Sequence, residues 1–397
     1  MTEPAEDGRD LSPTQRLLCA CARRPDASVT PLPLEAIDWS SLPPLLVRHG
    51  LLALAATHLS AVRERIPASV WREIHTAAPR ARADALALSA ELLRIVREFS
   101  DAGVDVLPYK GPLLAWEAYG DLGVRPFADL DLLTRPQDLE RAATVLRTLG
   151  YRPTYAFPPA CANWFRRVDG DYPFVHAGTD SLVELHVRAL SRRFGPEPAT
   201  EDLWRRRRTL NLAGTVVPAP RADDVLYLQL VHGAKHRWER LEWIASTAEL
   251  LRIRNGDVSA LLDGSYPNTR AVLLGCLLAH RLLGAPLDAG AAALIARDRT
   301  VRRLAAEVPR HLFREAGADD AGPGDTAAKL WFNFRLQRGG VARARFLYRW
   351  VAWPSPEDWE HLRLPRSMFF LYRILRPIRL LWRYARPSAR PEGRNDG

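Results

Sequence analysis

Along most of the chain apolar residues recur at helical spacing, and one central stretch switches to the alternation of strands. From Ser12 to about Thr76, leucines at 17, 18, 45, 46, 51, 52 and 54 return with helical periodicity between prolines, which predicts a small helical bundle. The alanine- and leucine-rich run Arg80–Ser100 predicts one longer helix that stops before Gly103. Next, Val104–Tyr109 reads as a short strand, Pro112–Tyr119 as a helix and Phe127–Leu133 as a second strand. Arg135–Leu149 reads as a helix ended by Gly150, and Phe174–His176 with Leu182–Val187 flank AGTDS as a hairpin turn. The prolines of Val216–Pro220 punctuate the end of this unit. Helical patterning returns at Asp224–Arg237, Trp243–Ile253, Ala271–Leu283 and Ala291–Ala306. Beyond the Gly- and Asp-rich Gly317–Asp325, it resumes at Ala327–Trp350 and Ser367–Tyr384. No internal repeat is present. The expected organisation is a disordered leader (1–12), a helical region (13–100), an α/β domain (101–220) and a second helical domain (221–316). A linker (317–326), a basic helical region (327–386) and a disordered tail (387–397) follow. The fold class is α/β of the α+β kind, a mixed sheet flanked by helical regions.

The alternation places chemistry on one sheet face. Asp129 and Asp131 are two residues apart, so on a strand both side chains leave the same face while Leu130 and Leu132 turn into a core. Glu184 and His186 repeat this pattern, with Val183, Leu185 and Val187 on the apolar side. Three carboxylates gathered on one face repel one another strongly. A divalent cation among them relieves that repulsion, and an all-oxygen ligand set suits Mg²⁺. Phosphoryl or nucleotidyl transfer is the chemistry that uses such an arrangement.

Lys110-Gly111-Pro112 falls where a strand turns into a helix. Gly111 permits close approach of backbone to a ligand, Pro112 suits the first helical position, and the free N–H groups of the helix start favour a phosphate. Lys110 adds a point charge for the same group, and Arg125, just before the aspartate strand, offers a fork-shaped phosphate ligand. Asp121 and Asp138, at loop and helix-start positions, are better explained by capping.

Composition narrows the class. Among the 397 residues there are only 4 cysteines, none in a CxxC pair, so neither a zinc site nor a disulfide framework is indicated. The opening MTEPAEDGRD is acidic and polar, unlike a secretory signal, and no apolar run approaches the roughly 20 residues of a membrane span. A cytoplasmic protein is the expectation. From Lys329 onward 15 Lys or Arg stand against 5 Asp or Glu, and this net of +10 equals that of the whole chain. The basic character therefore belongs to the C-terminal region, and residues 1–328 are formally neutral. Lysine is scarce: Lys110, Lys235 and Lys329 are the only three.

Two of those three lie in motifs. In HGAKHRW, His232 and His236 share a helix face. The motif lacks the glutamate of a zincin site. One reading has Lys235 and His236 facing a cleft and touching nucleotide phosphates or acceptor; the other has the histidines capping or packing, with Trp238 and Trp243 in the core. The C-terminal SMFFLYRILRPIRLLWRY alternates apolar residues with arginine. It is suited to an anionic membrane surface or a polyanion through 367–384. The alternative is a helix pair broken at Pro377, with Phe, Leu and Trp packed on the body and arginines in water. No RNA-binding motif accompanies it, so nucleic acid is not an expected partner.

The set YKG…R…ADLDLL…ELH is similar to the nucleotidyltransferase pattern of the DNA polymerase β-like superfamily. More narrowly, it resembles the bacterial uncharacterised nucleotidyltransferase family, in which Lys-Gly replaces the usual Gly-Ser of the first motif. His232–Leu251 and PSPEDWEHLRLP (Pro354–Pro365) also look like features of that family. The resemblance implies a polymerase β-like fold in which Asp129 and Asp131 hold two Mg²⁺ ions that bridge a nucleoside triphosphate. Glu184 would complete the site and help activate the acceptor, and Gly111 would lie under the phosphates. Lys110 would substitute electrostatically for the serine contact, and Ser246 stands where relatives have an aspartate. The expected function is Mg²⁺-dependent transfer of a nucleoside monophosphate from an NTP, such as ATP, to an acceptor, with release of pyrophosphate. A peptide or small-molecule hydroxyl, in natural-product biosynthesis, is the acceptor this resemblance suggests. Two other readings stand beside it: a non-catalytic nucleotide-binding regulatory module, and a membrane- or polyanion-associated protein acting through its basic tail.

Overall fold

The carboxylate strand forms as the alternation requires, at the centre of a mixed sheet. A computed structural model describes residues 11–24, 34–155, 165–198, 200–314, 323–355, 358 and 362–385. Nearly all of the expected leader, the tail 387–397, much of the expected linker and Cys161 lie outside the described residues. Strands β1 (Val106–Pro108), β2 (Asp129–Thr134), β3 (Tyr151–Pro153), β4 (Asp171–His176) and β5 (Leu182–His186) build one sheet in the order β1-β2-β5-β4-β3. The central pair β2–β5 is parallel and the other three pairs are antiparallel. A second, two-stranded sheet joins β6 (Arg208–Leu212) to β7 (Thr215–Ala219). The chain is thus mixed α/β, with helices before, within and after the sheet.

Each sheet face has its own surroundings. Leu130, Leu132, Phe174, Val183 and Leu185 point one way, into a core completed by Leu92, Ile95 and Phe99 of the helix Ala68–Asp101 and by Leu139 and Leu146 of the helix Leu139–Thr148. Leu107, Tyr109 and Leu133 point the other way and join a larger helical core. That core takes in Leu17 and Leu18 near the N-terminus, Leu226 and Leu230 of the helix Ala222–Lys235, Ile244 and Leu251 of Leu241–Ile253, and Leu274 and Leu278 of Thr269–Leu283. Segments 13–100 and 221–316, far apart in sequence, therefore bury apolar residues together. The site face of the sheet looks toward this shared body.

Several elements differ from the pattern-based expectation. The long helix starts at Ala68 and runs 34 residues through Pro79, because buried Val70, Ile74 and Ala78 continue the apolar stripe of Ala85, Leu92 and Phe99. Ala291–Ala306 is not one helix. Asp298 leaves helical geometry (φ −97°, ψ 95°), and its carboxylate accepts from the N–H groups of Thr300 and Val301 at 3.0 and 3.2 Å, starting a new helix, Arg299–Leu312. The helix Pro323–Leu336 begins inside the expected linker and ends before Gly339–Ala352, dividing the single stretch expected there. The hairpin β6–β7 has no counterpart in the pattern-based expectation, and its second strand runs through the prolines expected to punctuate Val216–Pro220. Pro377 lies inside the helix Tyr372–Ala385 rather than breaking it, since Tyr372, Arg376 and Leu380 are buried on both sides of the proline.

Two glycines make room for one tryptophan. After Lys235 the chain passes through Arg237 and Trp238 at φ 58° and 57°, and Trp238 N–H bonds back to the carbonyl of Gly233 at 2.8 Å. The indole then lies against Gly233 and Gly275, where an added Cβ would meet ring carbons at 2.4 and 2.7 Å. Gly233→Ala should lose on the order of 1–3 kcal/mol of stability, read as a lower urea midpoint, because a fully buried indole has no free space to move into. Gly340→Ala, where a Cβ meets nothing within 4 Å, should leave the midpoint unchanged or raise it slightly.

Candidate functional site

Strand register brings the acidic residues together. Asp131 pairs with Glu184 across the parallel β2–β5 ladder, and Asp129 pairs with Leu182 one step earlier along the same face. On the other side of β5, Asp171 of β4 stands opposite His186. Asp129, Asp131, Glu184, His186 and Asp171 therefore share one sheet face, because cross-strand partners project to the same side.

Asp131 is the centre of the cluster and only 4% exposed. Its Oδ1 accepts from Lys110 Nζ at 2.7 Å and from His186 Nε2 at 3.0 Å. The same imidazole nitrogen lies 3.2 Å from Glu184 Oε2. Burial alone would raise the Asp131 pKa, but Lys110 and His186 hold it well below the carboxylate range. For His186 burial works downward, and the hydrogen bonds from Asp131 and Glu184 outweigh it, pushing the imidazole up to about 9. Glu184 is lowered chiefly by its hydrogen bond with His186. Asp129 goes the other way: burial and then the neighbouring Asp131 push it up to about 6. The face thus contains ionised Asp131 and Glu184, bridged by an imidazolium, and a third carboxyl that lacks enough positive charge.

Lys110 reaches this cluster from the turn between β1 and the helix Gly111–Tyr119. Its backbone is extended (φ −136°, ψ −153°), and Gly111 follows at φ 50°, a conformation that favours glycine. A Cβ on Gly111 would stand 3.4 Å from the carbonyl oxygen of Asp129, so the turn is seated directly on the aspartate strand. Burial would lower the Lys110 pKa, but Asp131, with Asp129 and Glu184, carries it above its ordinary value.

Lys235 approaches from the helical body, at the last position of the helix Ala222–Lys235. Its Nζ lies 5.0 Å from the centre of the Phe194 ring. Burial and repulsion by Lys110 lower its pKa, while Asp171 and Glu184 act in the opposite direction, which ties it electrostatically to the carboxylate face. His236 is next to it but is engaged differently. Its ring lies 4.8 Å from His232 and 5.5 Å from Trp243, and burial, then Lys235, keeps it neutral. The structure places Arg125 farther into the body, 7% exposed, where its charge acts on Glu242 and Tyr119. Ser246 is fully buried in the helix Leu241–Ile253. Asp121 accepts from Gly123 N–H at 2.9 Å in its loop, whereas Asp138 at its helix start makes no side-chain cap.

Two site residues were missed by the sequence reading. Asp171 is a fourth carboxyl on this face, raised by burial, and its Oδ1 is buried without a hydrogen-bond partner among the described residues. Only the register of β4 against β5 exposes its place, and a lone Asp after a glycine gave no signal of it. Tyr109, beside Lys110, is 2% exposed, with its ring 5.4 Å from His186 and its hydroxyl also lacking a partner. Burial and then the charges of Asp131, Glu184, Asp171 and Asp129 raise its pKa well above the ordinary value. Alternation beyond β1 would have placed Tyr109 on the same face as Leu107.

Asp131, Glu184 and His186 each offer a ligand atom, all within 4.8 Å of one another, so the group is able to hold a metal ion. The oxygen donors of Asp129, Asp131 and Glu184, with the orphan oxygens of Asp171 and Tyr109 beside them, fit a hard divalent cation. A separate hollow of about 610 Å³, lined by Glu91, Arg94, His176 and Ser181, reaches Ala128 next to Asp129. No curated protein matches the chain. A family model described as uncharacterised nucleotidyltransferase matches residues 35–284, which include the whole sheet, the carboxylate face, Lys110 and Lys235. With more than half of its length so matched, the chain belongs to the uncharacterised nucleotidyltransferase family.

Proposed function

We propose that the protein transfers a nucleoside monophosphate from an NTP to a hydroxyl of a peptide or small molecule, releasing pyrophosphate. The observation that carries this reading is the carboxylate face itself: Asp131 and Glu184 paired in register, Asp129 beside them, and lysines reaching the face from two separate elements. Asp129, Asp131 and Glu184 would hold Mg²⁺, two ions by family resemblance, which supply charge neutralisation for the triphosphate and the leaving pyrophosphate. The polypeptide supplies the remainder. The N–H groups at the start of Gly111–Tyr119 and the ammonium of Lys110 bind phosphate oxygens, and Lys235 adds a second positive charge from the helical body. In the transfer the acceptor oxygen forms a bond to the α-phosphorus, the bond from that phosphorus to the bridging oxygen breaks, and pyrophosphate leaves. Glu184, kept ionised by His186, takes the hydroxyl proton.

Lys235 is the stronger of the two candidates in its motif. Its partly desolvated ammonium has Phe194 beside it and no hydrogen bond among the described residues, whereas the His236 ring is committed to His232 and Trp243. Residues 1–328 carry no net charge, which favours a small acceptor over a nucleic acid.

Calorimetry on the full chain should show NTP binding that requires Mg²⁺ and is lost in the double variant Asp129→Asn/Asp131→Asn. Absence of Mg²⁺-dependent binding in the wild type would refute the proposal, and tight binding with no turnover on any acceptor would favour a non-catalytic nucleotide-binding module. Lys235→Met should weaken NTP binding by roughly tenfold, the size of a charge-assisted contact, while leaving Mn²⁺ binding followed by electron paramagnetic resonance intact. Equal loss of both signals would instead mean that Lys235 holds the fold.

A further inference from the structure

The helix Tyr372–Ala385 buries an arginine and leaves part of its apolar surface exposed. Its inward residues, at positions i, i+4 and i+8, are Tyr372, Arg376 and Leu380, all buried. Arg376 donates to Asp358 Oδ2 at 2.6 Å, to Ser355 Oγ at 2.7 Å and to the carbonyl of Trp350 at 3.2 Å. Arg379 Nε lies 2.7 Å from the other oxygen of the same buried aspartate. The outward residues at the same spacing are Ile374, Ile378 and Trp382, exposed by 56, 47 and 64%, with Phe370 one turn earlier exposed by 61%. Against the expected alternative of arginines in water and apolar residues on the body, Arg376 is buried and Ile374, Ile378 and Trp382 are exposed, while Tyr372 and Leu380 pack inward and Arg373 faces water.

This face is held rather than hanging loose. Arg376 and Arg379 converge on Asp358, and Arg193, which pairs with Asp169 at 2.9 Å, donates to the carbonyls of Trp353 and Pro354 just before it. The neighbouring helix Gly339–Ala352 packs against Tyr372–Ala385 and exposes Val341 and Tyr348 as well. Burying charge and presenting isoleucine and tryptophan to water costs free energy unless another apolar phase covers them.

We propose that the outward face of Tyr372–Ala385 docks on the surface of an anionic lipid bilayer. The charge selects this occupant: the region from Lys329 onward carries the entire net +10, and Arg338, Arg345, Arg363 and Arg373 are exposed in it. An anionic interface answers both features at once, taking isoleucine and tryptophan into the acyl boundary and arginine at the headgroups. A second copy would bring two equally basic surfaces together, and a nucleic acid would leave the apolar stripe uncovered. Among the described residues no helix is long and apolar enough to cross a membrane, so the segment lies on the surface.

The test is co-sedimentation of the full chain with phosphatidylcholine vesicles with and without phosphatidylglycerol. Binding is expected only to the anionic vesicles and should weaken with added salt. Ile374→Ser/Ile378→Ser/Trp382→Ser should lower the partition coefficient on the order of tenfold or more with an unchanged circular dichroism spectrum. Ile374→Leu/Ile378→Leu/Trp382→Phe, which keeps the face apolar, should bind as the wild type does. The proposal is overturned if the wild type shows no preference for anionic vesicles or if the serine variant partitions equally well. It is also overturned if light scattering shows a dimer that the serine variant dissociates, since the face would then be an interface between copies.

Discussion

A buried, ionised Asp131 is the constraint around which the centre of the molecule is arranged. A carboxylate removed from water is costly unless positive charge and hydrogen bonds replace its hydration, and here two cations do so on one oxygen. Lys110 comes from the turn after β1, and His186 comes from β5 two residues past Glu184. The two meet at the same Asp131 oxygen, the turn of Lys110 being seated on the carbonyl of Asp129 and His186 Nε2 facing both Asp131 and Glu184. The pairing therefore fixes the register of β2 against β5 and the entry of the helix Gly111–Tyr119 in one stroke. Those same contacts bring one ligand atom each of Asp131, Glu184 and His186 within 4.8 Å of one another, a group able to hold a metal ion. Structural requirement and chemical capacity coincide at this position, so a change to Asp131 disturbs both.

The helical body contributes by shaping where Lys235 ends up. The left-handed pair Arg237-Trp238 reverses the chain after the helix Ala222–Lys235 and inserts an indole between Gly233 and Gly275. That insertion terminates the helix at Lys235 and leaves its side chain beside Phe194, facing the sheet. The motif HGAKHRW thus divides its labour: Gly233 and Trp238 make the turn, His232 and His236 pack with Trp243, and Lys235 carries charge to the carboxylates. Of the two alternatives offered by the sequence, packing describes His232, His236, Trp238 and Trp243, while a cleft role for Lys235 belongs to the proposed function.

How much was legible follows from the range of each interaction. Alternation over DLDLL and VELHV revealed the shared face, because the period of a strand depends on nearest neighbours in sequence. The turn at Lys110–Gly111 was legible for the same local reason. Asp171 was not, since its membership depends on which strands lie side by side, a matter of long-range pairing, whereas the face of Tyr109 follows from alternation and only its meeting with His186 depends on the sheet order. The capping carboxylate of Asp298 was hidden inside an unbroken apolar period, and the β6–β7 hairpin inside a run of arginines and prolines. Arg125, expected from sequence as a phosphate ligand, is buried, and its charge acts on Glu242 and Tyr119. Local pattern specifies which face a side chain takes, and tertiary pairing specifies what it meets there.

The C-terminal helix shows how one aspartate outside it can draw arginine to the buried side of an amphipathic helix. Periodicity alone gives two faces, one apolar and one basic, and the hydrophobic effect by itself would turn the apolar one inward. Asp358 is buried, and it draws Arg376 and Arg379 toward it from successive turns of the helix. Once both arginines point inward, the rotation of the helix is set, and Ile374, Ile378 and Trp382 have no choice but to face outward. The matched family span ends at residue 284, so this arrangement belongs to the part of the chain beyond it. The protein consequently presents two chemically distinct surfaces: a neutral body with a concentrated acidic face, and a basic region with an apolar stripe. In the proposed function a nucleoside triphosphate would meet the lysines of the first, and in the proposed docking an anionic lipid surface would meet the second. Because the two are fixed by separate ion pairs, Lys110–Asp131 in one and Arg376–Asp358 in the other, attachment at the second need not disturb chemistry at the first.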